Sequence, residues 1–431
     1  MRDEEGRGLV VGAVAVGVLA VAWGAGLGVR PVLAYGVAQL GVLLALWLYP
    51  RLALARVEVR RDMPGSACED DVVRVTFRVA NRGALPLACP EVVDRFVPDK
   101  VPLRHARVFP WLPGRSGVEV RYEGRCFTRR GDYLIGPEAL RLRCPLGLFA
   151  AERVVGAAAP LVVYPAIDPL PPTLPRSGVS RAPSATGGCL REAGEGGLVL
   201  GVREYRPGDA LRRVHWPTTA RRGRLSIIEH ERQVARGVAL FLDLSRETLR
   251  GLGRQSTLEV AVRLASAVTA AYLAQGDRVA LHGQGAEPLH LPAGAGRAQL
   301  ARALDALARV RPDGEVALGD VVRARLAEVE AGQLVWLVVA DLERDGPPCV
   351  DLVAALRARG CRAVAVLLDP TSFPRLWGAP RAPASLAAAA DAFMAEGATV
   401  YAVRAGDALT ERLAAPYAGR RQVRVTREML A

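Results

Sequence analysis

The sequence is short of lysine, and this shortage shapes how its charge is interpreted. Lys100 is the only lysine, so the net charge of +13 on 431 residues comes almost entirely from arginine spread along the chain. An even excess of this kind indicates coding bias more than a nucleic-acid-binding surface. A basic surface that contacts an anionic membrane remains a second interpretation. At this length we expect two or three domains.

Paired cysteines are also missing. The seven cysteines are odd in number, and none forms a CxxC pair; they stand at positions 68, 89, 126, 144, 189, 349 and 361. This pattern argues against a disulfide framework or a cysteine-based zinc site and favours a reducing compartment.

Several catalytic motifs are absent. There is no GxxxxGK phosphate loop and no GxSxG nucleophile elbow, and the five histidines are scattered. The stretch "GAGRAQ" at 294–299 lacks the third glycine of a dinucleotide fingerprint and resembles a helix start. We therefore expect no enzyme and no small-molecule substrate.

Two uncharged runs, 8–29 and 32–49, stand near the start of the chain with only Arg30 and Pro31 between them. As a helix the first run would span roughly 33 Å, enough to cross the hydrocarbon core. Residues 1–50 are therefore predicted to form a transmembrane helical hairpin. A cleaved signal peptide is the alternative, but the acidic start "MRDEEGRG" and the second run argue against it.

The arginines around these runs predict their orientation. Only Arg30 lies between the runs, whereas several arginines lie outside them: Arg2, Arg7, Arg51, Arg56, Arg60 and Arg61. Because positive residues favour the cytoplasmic side, we expect a multi-pass protein of the cell membrane with cytoplasmic termini and soluble domains.

Residues 56–165 change to short alternating runs such as "DVVRVTFRVANRG" at 71–83. Alternation of period two with frequent turns predicts an antiparallel β-sandwich-like domain. Residues 166–236 then combine a Pro/Gly-rich linker with a basic segment, 203–236. Its arginines could contact phosphates, which would make the chain a nucleic-acid-binding protein or a hydrolase, but interleaved acids favour a structural role.

Residues 237–431 alternate continuous apolar strands with amphipathic helices. Predicted strands are 238–244, 278–282, 333–340, 363–368 and 399–403, and predicted helices are 257–274, 299–310, 318–330, 349–359, 384–395 and 408–414. This pattern predicts a mostly parallel, Rossmann-type α/β sheet covered on both faces. Asp243, Ser245 and Asp341 all fall at carboxyl ends of strands, where such sheets bind ligands.

A long ordered motif in the basic segment, joined to "ALFLDLS" at 239–245, resembles bacterial domain-of-unknown-function family 58 (DUF58). The motif "REYRPGD…R…HW…TAR" contains Arg203, Tyr205, Pro207, Gly208, Asp209, Arg212, His215, Trp216 and Arg221. The resemblance implies a membrane-anchored protein with a von Willebrand factor A-like C-terminal domain. It also implies a partner, a MoxR-type AAA+ ATPase, and a role in complex assembly or cell-envelope maintenance.

The same resemblance implies a degenerate Mg²⁺ site. Asp243 and Ser245 match the first two ligands of the Asp-x-Ser-x-Ser motif, Glu247 stands where its second Ser would be, and Asp341 matches the acid of the third loop. The second loop, 311–320, contains no hydroxyl residue where a Thr is expected. Either Glu247 replaces a lost ligand, or Asp243 and Ser245 only cap the following turn.

Overall fold

The computed structural model describes residues 2–98, 104–127, 129–136, 138–177, 193–205, 214–231, 237–340, 342, 349–374 and 386–418. The chain divides into two compact units, Met1–Tyr164 and Pro165–Ala431. The first begins with two helices and continues with short β-strands, and the second carries a six-stranded sheet with helices on both faces.

Two long apolar helices open the first unit. They are α1, Arg2–Gly26, and α2, Arg30–Ala55, where the sequence predicts spans of 8–29 and 32–49. Gly28 lies between them with a φ of 65°, a left-handed conformation that glycine adopts without a steric cost. The turn between the helices is therefore tight.

α1 and α2 pack against each other in antiparallel directions. Gln39 Nε2 donates to the Ala13 carbonyl at 2.9 Å, while near the turn a Cβ atom at Gly24 would lie 2.4 Å from the Leu33 nitrogen. Only a residue without a side chain allows so close an approach of the two backbones. Gly24 is thus a packing position, and so is Gly17, where a Cβ atom would lie 2.9 Å from Leu40 Cδ2.

The sequence predicts that the second helix ends at Tyr49, but α2 continues to Ala55 and reaches the β-strands of the first unit, which we call the β-strand unit. Ala53 and Leu54 are each 2% exposed and belong to the core of that unit. Arg153 donates to the carbonyls of Leu54 and Ala55 at 2.6 and 2.7 Å. A guanidinium therefore donates to two carbonyls at the end of the helix, where few backbone amides are available to do so.

Twelve strands follow α2 among the described residues of the first unit. They are β1 Val57–Asp62, β2 Ser66–Cys68, β3 Val72–Asn81, β4 Leu87–Ala88, β5 Glu91–Arg95, β6 Arg104–Val108, β7 Trp111–Leu112, β8 Gly117–Arg125, β9 Gly131–Ile135, β10 Ala139–Arg143, β11 Ala150–Val154 and β12 Ala159–Tyr164.

These strands form small sheets around one core. The sheet orders are β1-β3-β8, β11-β10-β5-β6 and β2-β12-β9, and β4 pairs with β7. In β3 every second residue from Val73 to Val79 is buried, as the alternation of the sequence predicts. Phe77 of β3, Leu140 of β10 and Leu161 of β12 belong to the same core, so all three main sheets contribute to it.

A charged cluster lies inside this unit. Arg61 Nη2 lies 2.7 Å from Asp94 Oδ1 and also pairs with Glu138, and none of the three side chains is more than 5% exposed. Tyr122 donates its hydroxyl hydrogen to Asp94 Oδ2 at 2.5 Å. Arg61 Nη1 also donates to the Ile135 carbonyl at 2.8 Å. The interior therefore holds one cation between two carboxyl groups.

The second unit begins with residues 165–177, which pack against its own helical layer. Ser266 Oγ donates to the Ala166 carbonyl at 2.7 Å, and the Tyr272 hydroxyl donates to the Pro175 carbonyl at 2.6 Å. The Pro-rich composition predicts a linker in this stretch. In the structure, buried side chains of the sheet domain satisfy its carbonyls, so this part is attached to the domain.

A two-stranded ribbon and a short helix come next. β13, Ala193–Glu204, pairs antiparallel with β14, Ser226–Glu231, and α3, Trp216–Arg222, lies between them in the chain. Gly223 ends α3 with a φ of 67°, the left-handed conformation that commonly follows a helix.

The six-stranded sheet has the order β17-β16-β15-β18-β19-β20, and β17 alone is antiparallel to its neighbour. The strands are β15 Gly237–Leu242, β16 Arg278–Gln284, β17 Pro288–Gly294, β18 Leu334–Val339, β19 Arg362–Leu368 and β20 Thr399–Val403. The structure thus adds an edge strand, β17, that the sequence analysis does not predict.

Helices cover both faces of this sheet. Leu240 packs in a core that includes α4, α5 and α9, whereas the neighbouring Phe241 packs in a core that includes α6, α7 and α8. The helices are α4 Thr257–Ala274, α5 Gly296–Arg309, α6 Leu318–Arg325, α7 Val350–Ala358, α8 Leu386–Ala395 and α9 Leu409–Arg412. Burial on both sides explains why β15 is a continuous apolar run.

Three helices in the described parts of the chain are long and apolar enough to cross a membrane. They are Gly8–Gly26 within α1, Arg30–Ala55 and Thr257–Ala274. The third, α4, has 72% of its apolar stretch buried in the second unit, compared with 11% and 6% for the other two. The two N-terminal helices are therefore the ones whose apolar surface is left uncovered.

Candidate functional site

The carboxyl ends of β15 and β18 form the natural crevice of the sheet. The chain leaves β15 towards β16 on one side and later returns to β18 on the other, so the strand order reverses between β15 and β18. Ligands of open α/β sheets bind at such a switch point. Asp243 follows β15, and Asp341 follows β18 in the sequence but lies outside the described residues.

Asp243 and Ser245 form a hydrogen-bonded turn at the end of β15. Asp243 Oδ1 accepts from the Ser245 amide at 3.1 Å, and Ser245 Oγ accepts from the Glu247 amide at 3.3 Å. Ser245 thereby caps the single helical turn at 246–248. Asp243 and Ser245 are 6% and 7% exposed, whereas Glu247 is exposed. The capping role is therefore present.

The second loop approaches this turn through its backbone. Gly314 donates its amide hydrogen to the Leu244 carbonyl at 3.0 Å and accepts from the Arg246 amide at 2.8 Å. A Cβ atom at Gly314 would lie 2.1 Å from the Gln284 carbonyl oxygen, so a side chain cannot fit there. Glu315 and its neighbour Val316 are exposed. The loop therefore contacts the turn without providing a hydroxyl group.

The residues present fit a Mg²⁺ ion in part. Asp243 and Ser245 provide hard oxygen atoms, the ligand type that Mg²⁺ requires. Two buried side chains, however, provide too few ligand atoms to complete its octahedral coordination. The remaining positions would have to come from Glu247, Asp341 and water. Metal binding at this turn stays a prediction.

Three residues of the family motif fall on the β13–β14 ribbon and on α3: Arg203, Trp216 and Arg221. Arg203 is opposite Ile227 in the ribbon, and the Tyr205 amide donates to the Leu225 carbonyl at 2.9 Å. The His215 amide donates to the Ser226 carbonyl at 2.8 Å. Tyr205 and His215 thus flank the ribbon with backbone bonds of their own. Four further motif residues lie outside the described residues: Pro207, Gly208, Asp209 and Arg212.

The remaining motif residues face solvent. Trp216 opens α3 with 67% of its surface exposed, and Arg221 lies in the last turn of the same helix, also exposed. Arg224 lies 3.6 Å from Glu204 across the ribbon, an exposed pair of a basic and an acidic side chain. An exposed pair of this kind contributes little to stability.

The sequence analysis missed a cluster formed by His282, His290 and Glu328, because it treats the histidines as scattered. His282 of β16 is the direct cross-strand partner of His290 on β17, and their Nδ1 atoms lie 3.4 Å apart. Glu328 Oε2 lies 3.8 Å from His290 Nδ1. The stretch "HGQGAEPLH" at 282–290 has a histidine at each end of a glycine-containing turn. This pattern could have predicted a hairpin that brings the two histidines together.

A sequence profile matches the part of the chain that contains the end of β13, all of β14, the turn after β15 and most of the sheet. The family is described as "Protein of unknown function DUF58", and the match covers residues 201–373. The match supports the resemblance to that family over this region. No curated protein sequence matches the chain.

Solved structures resemble the chain only weakly. The CARDB domain of a Pyrococcus furiosus protein is 11% identical and aligns over 25% of this chain and 94% of its own, with a TM-score of 0.18. Proximal thread matrix protein 1 from the mussel byssus is 10% identical over 42% of this chain and 46% of its own, with a TM-score of 0.28. These TM-scores are too low to carry an argument about fold or function.

Proposed function

We propose that the chain is a membrane-anchored interaction protein whose α1 and α2 cross the cell membrane as a hairpin. The observation that carries the anchor is the uncovered apolar surface of these helices. Leu19 and Trp23 of α1 are 67% and 74% exposed, Leu27 in the turn after α1 is 69% exposed, and Leu44 of α2 is 56% exposed. Such a surface is unfavourable in water and favourable in lipid, where a helix also satisfies its own backbone.

In this proposal both soluble parts of the chain lie in the cytoplasm. Arg30 is the only basic residue at the turn between α1 and α2, whereas Arg51, Arg56 and Arg60 follow within or just after the end of α2. The excess of arginine on that side favours the cytoplasmic face. Cys89, an exposed free thiol in the β-strand unit, suits the same reducing compartment.

The interaction surface in this proposal is the crevice at the carboxyl ends of β15 and β18. A mostly parallel sheet with helices on both faces supports a von Willebrand factor A-like domain, and the strand reversal supports this position. Asp243 and Ser245, with Glu247 and Asp341, would hold Mg²⁺, which supplies an open coordination position to a partner's carboxylate. On the family resemblance, the partner is a MoxR-type AAA+ ATPase and the process is complex assembly or envelope maintenance.

The membrane topology can be tested through Cys89. In intact cells, a membrane-impermeant thiol reagent should leave Cys89 unlabelled until the membrane is permeabilised, and Cys89→Ser should mark the band that belongs to it. Leu27→Cys, at the opposite end of the helices, should react in intact cells. Labelling of Cys89 in intact cells would contradict the cytoplasmic placement.

The interaction can be tested by retention of the MoxR-type ATPase on the immobilised, detergent-solubilised full chain in the presence of Mg²⁺. We expect Asp243→Ala and Glu247→Ala to reduce retention. Glu330→Ala, an exposed acid before β18 at the opposite end of the sheet, is the matched control and should not. Absence of retention by folded wild-type chain would overturn the partner, and salt-sensitive retention of DNA would favour the nucleic-acid alternative.

A further inference from the structure

We propose that His282, His290 and Glu328 form a binding site for a zinc ion. The three ligand atoms, one from each side chain, all lie within 4.8 Å of one another. Two imidazoles and one carboxylate are a ligand set that zinc uses in proteins, with a fourth position left for water. The site uses none of the residues assigned above to the crevice of the sheet, so it stands independently of the proposed function.

The backbone brings the two histidines together. β16 and β17 pair antiparallel, with His282 opposite His290 and Gln284 opposite Pro288. Because directly opposite residues place their side chains on the same face of a sheet, both imidazoles lie on one side of this hairpin. That side is the one on which Phe241 packs, since the His282 ring stacks on the Phe241 ring at a centroid distance of 4.8 Å.

The third ligand comes from a different part of the chain. Glu328 ends the single helical turn, Leu326–Glu328, that follows α6. α6 itself packs on the same face of the sheet, with Val321 and Val322 in the core that contains Phe241. A metal ion at this point would therefore link the edge hairpin to the end of α6.

The distances suit zinc without a large rearrangement. Ligand atoms about 2.05 Å from a tetrahedral zinc ion lie about 3.3 Å from one another. The Nδ1 atoms of His282 and His290 are 3.4 Å apart, and His290 Nδ1 lies 3.8 Å from Glu328 Oε2. The two nitrogens already have the required spacing, and the exposed carboxylate completes a set whose ligand atoms all lie within 4.8 Å of one another.

The surroundings favour a neutral ligand and an open approach. The His282 ring is buried, and a neutral imidazole provides the lone pair that zinc requires. The side chains of His290 and Glu328 are 34% and 40% exposed, which leaves a path for the ion and its water. Arg325 lies 2.6 Å from Glu328 Oε1 and is the charge that opposes a cation here. Its pairing to one carboxylate oxygen leaves Oε2 facing His290.

The test is zinc binding by the full chain in detergent, measured by competition with a chromophoric chelator after metal removal. We expect one zinc site that weakens more than ~100-fold in His290→Ala, because even outer partners of metal ligands cost ~10–100-fold. Glu328→Gln should weaken the same site. His215→Ala and Glu287→Gln are the matched controls outside the cluster and should bind as the wild type does.

Cobalt substitution identifies the ligand type and avoids reliance on the buried His282. Bound Co²⁺ should give a tetrahedral d–d spectrum without a thiolate charge-transfer band, and His290→Ala should abolish it. Equal zinc affinity in wild type and His290→Ala would overturn the proposal and leave the histidines as a hydrogen-bonded pair. A thiolate band would also overturn it, because it would assign the metal to a cysteine such as Cys89.

Discussion

The charged cluster of Arg61, Asp94 and Glu138 and the cluster of His282, His290 and Glu328 each bring three ionisable side chains together, but they differ in exposure. In the first, no side chain is more than 5% exposed, and the carboxyl groups flank a guanidinium. In the second, one histidine is buried while the other two side chains are about one-third exposed or more.

This difference separates a structural role from a binding role. A buried ion pair has already exchanged water for protein partners, so removing one member leaves a charge without compensation. A set of two imidazoles and one carboxylate, of which two members are partly exposed, offers nitrogen and oxygen ligand atoms and an open approach for a cation. We therefore expect substitutions in the first cluster to change stability and substitutions in the second to change ligand binding.

The largest effect is expected for Arg61→Leu, which leaves Asp94 and Glu138 buried beside each other. It should destabilise the first unit by about 3–5 kcal/mol, the range for breaking a buried pair. Hydrogen exchange of the β3 and β8 amides in the full chain would measure the loss locally. Arg74→Leu removes an exposed ion pair with Glu123 and should change these amides by less than about 1 kcal/mol. Similar effects of the two substitutions would contradict the claim that the buried cluster stabilises the first unit more than an exposed ion pair does.

A smaller effect is expected for Tyr122→Phe, which removes the hydrogen bond from the hydroxyl to Asp94. Hydrogen bonds to charged groups contribute about 1.5–3 kcal/mol, so the same β3 and β8 amides should exchange faster by that free energy. Tyr133→Phe removes a hydroxyl from an exposed position that bonds to the Arg129 carbonyl. A loss for Tyr133→Phe as large as for Tyr122→Phe would show that burial of Asp94 is not the cause.

A third test changes pH instead of removing the guanidinium. Burial raises the pKa of Glu138 above its ordinary value of 4.5, so the folded chain binds this proton more tightly than the unfolded chain does. Its contribution to stability is present below pH 4.5 and is lost as pH rises through the folded pKa. Denaturant unfolding of the first unit should show this decline in the wild type, and Glu138→Gln should flatten it. An unchanged slope in Glu138→Gln would assign the pH dependence to another group.

The sequence predicts elements best where burial is uniform. The helix predicted at 257–274 is α4, Thr257–Ala274, and the apolar run at 333–340 contains β18. Both elements are recognisable because their buried positions require apolar residues in a regular pattern. β17 was missed because Pro288 and Pro292 argue against a strand. Proline is tolerated there since β17 lies at the edge of the sheet, where one side of the strand needs no ladder partner.

The sites were predictable to a lesser degree because they depend on contacts between distant residues. The positions of Asp243 and Ser245 at the end of β15 follow from the pattern, but the backbone bonds from Gly314 do not. The His290–Glu328 pairing needs the register of the unpredicted strand β17 and the early end of α6 at Arg325, where the sequence predicts a helix to 330. Single-residue register lies beyond what periodicity specifies.

The smallest effect on stability is expected for His290→Ala in the absence of metal. This variant tests most directly whether the histidine cluster binds a ligand or stabilises the fold. His290 is exposed on an edge strand, so unfolding of the second unit should change by only about 0.5 kcal/mol. Zinc at one hundred times its dissociation constant should then stabilise the wild type by about 2.7 kcal/mol and His290→Ala by about 0.4 kcal/mol or less. Hydrogen exchange of the β16 amides with and without zinc would measure both values. A large loss without metal would make this cluster structural, like the one around Arg61.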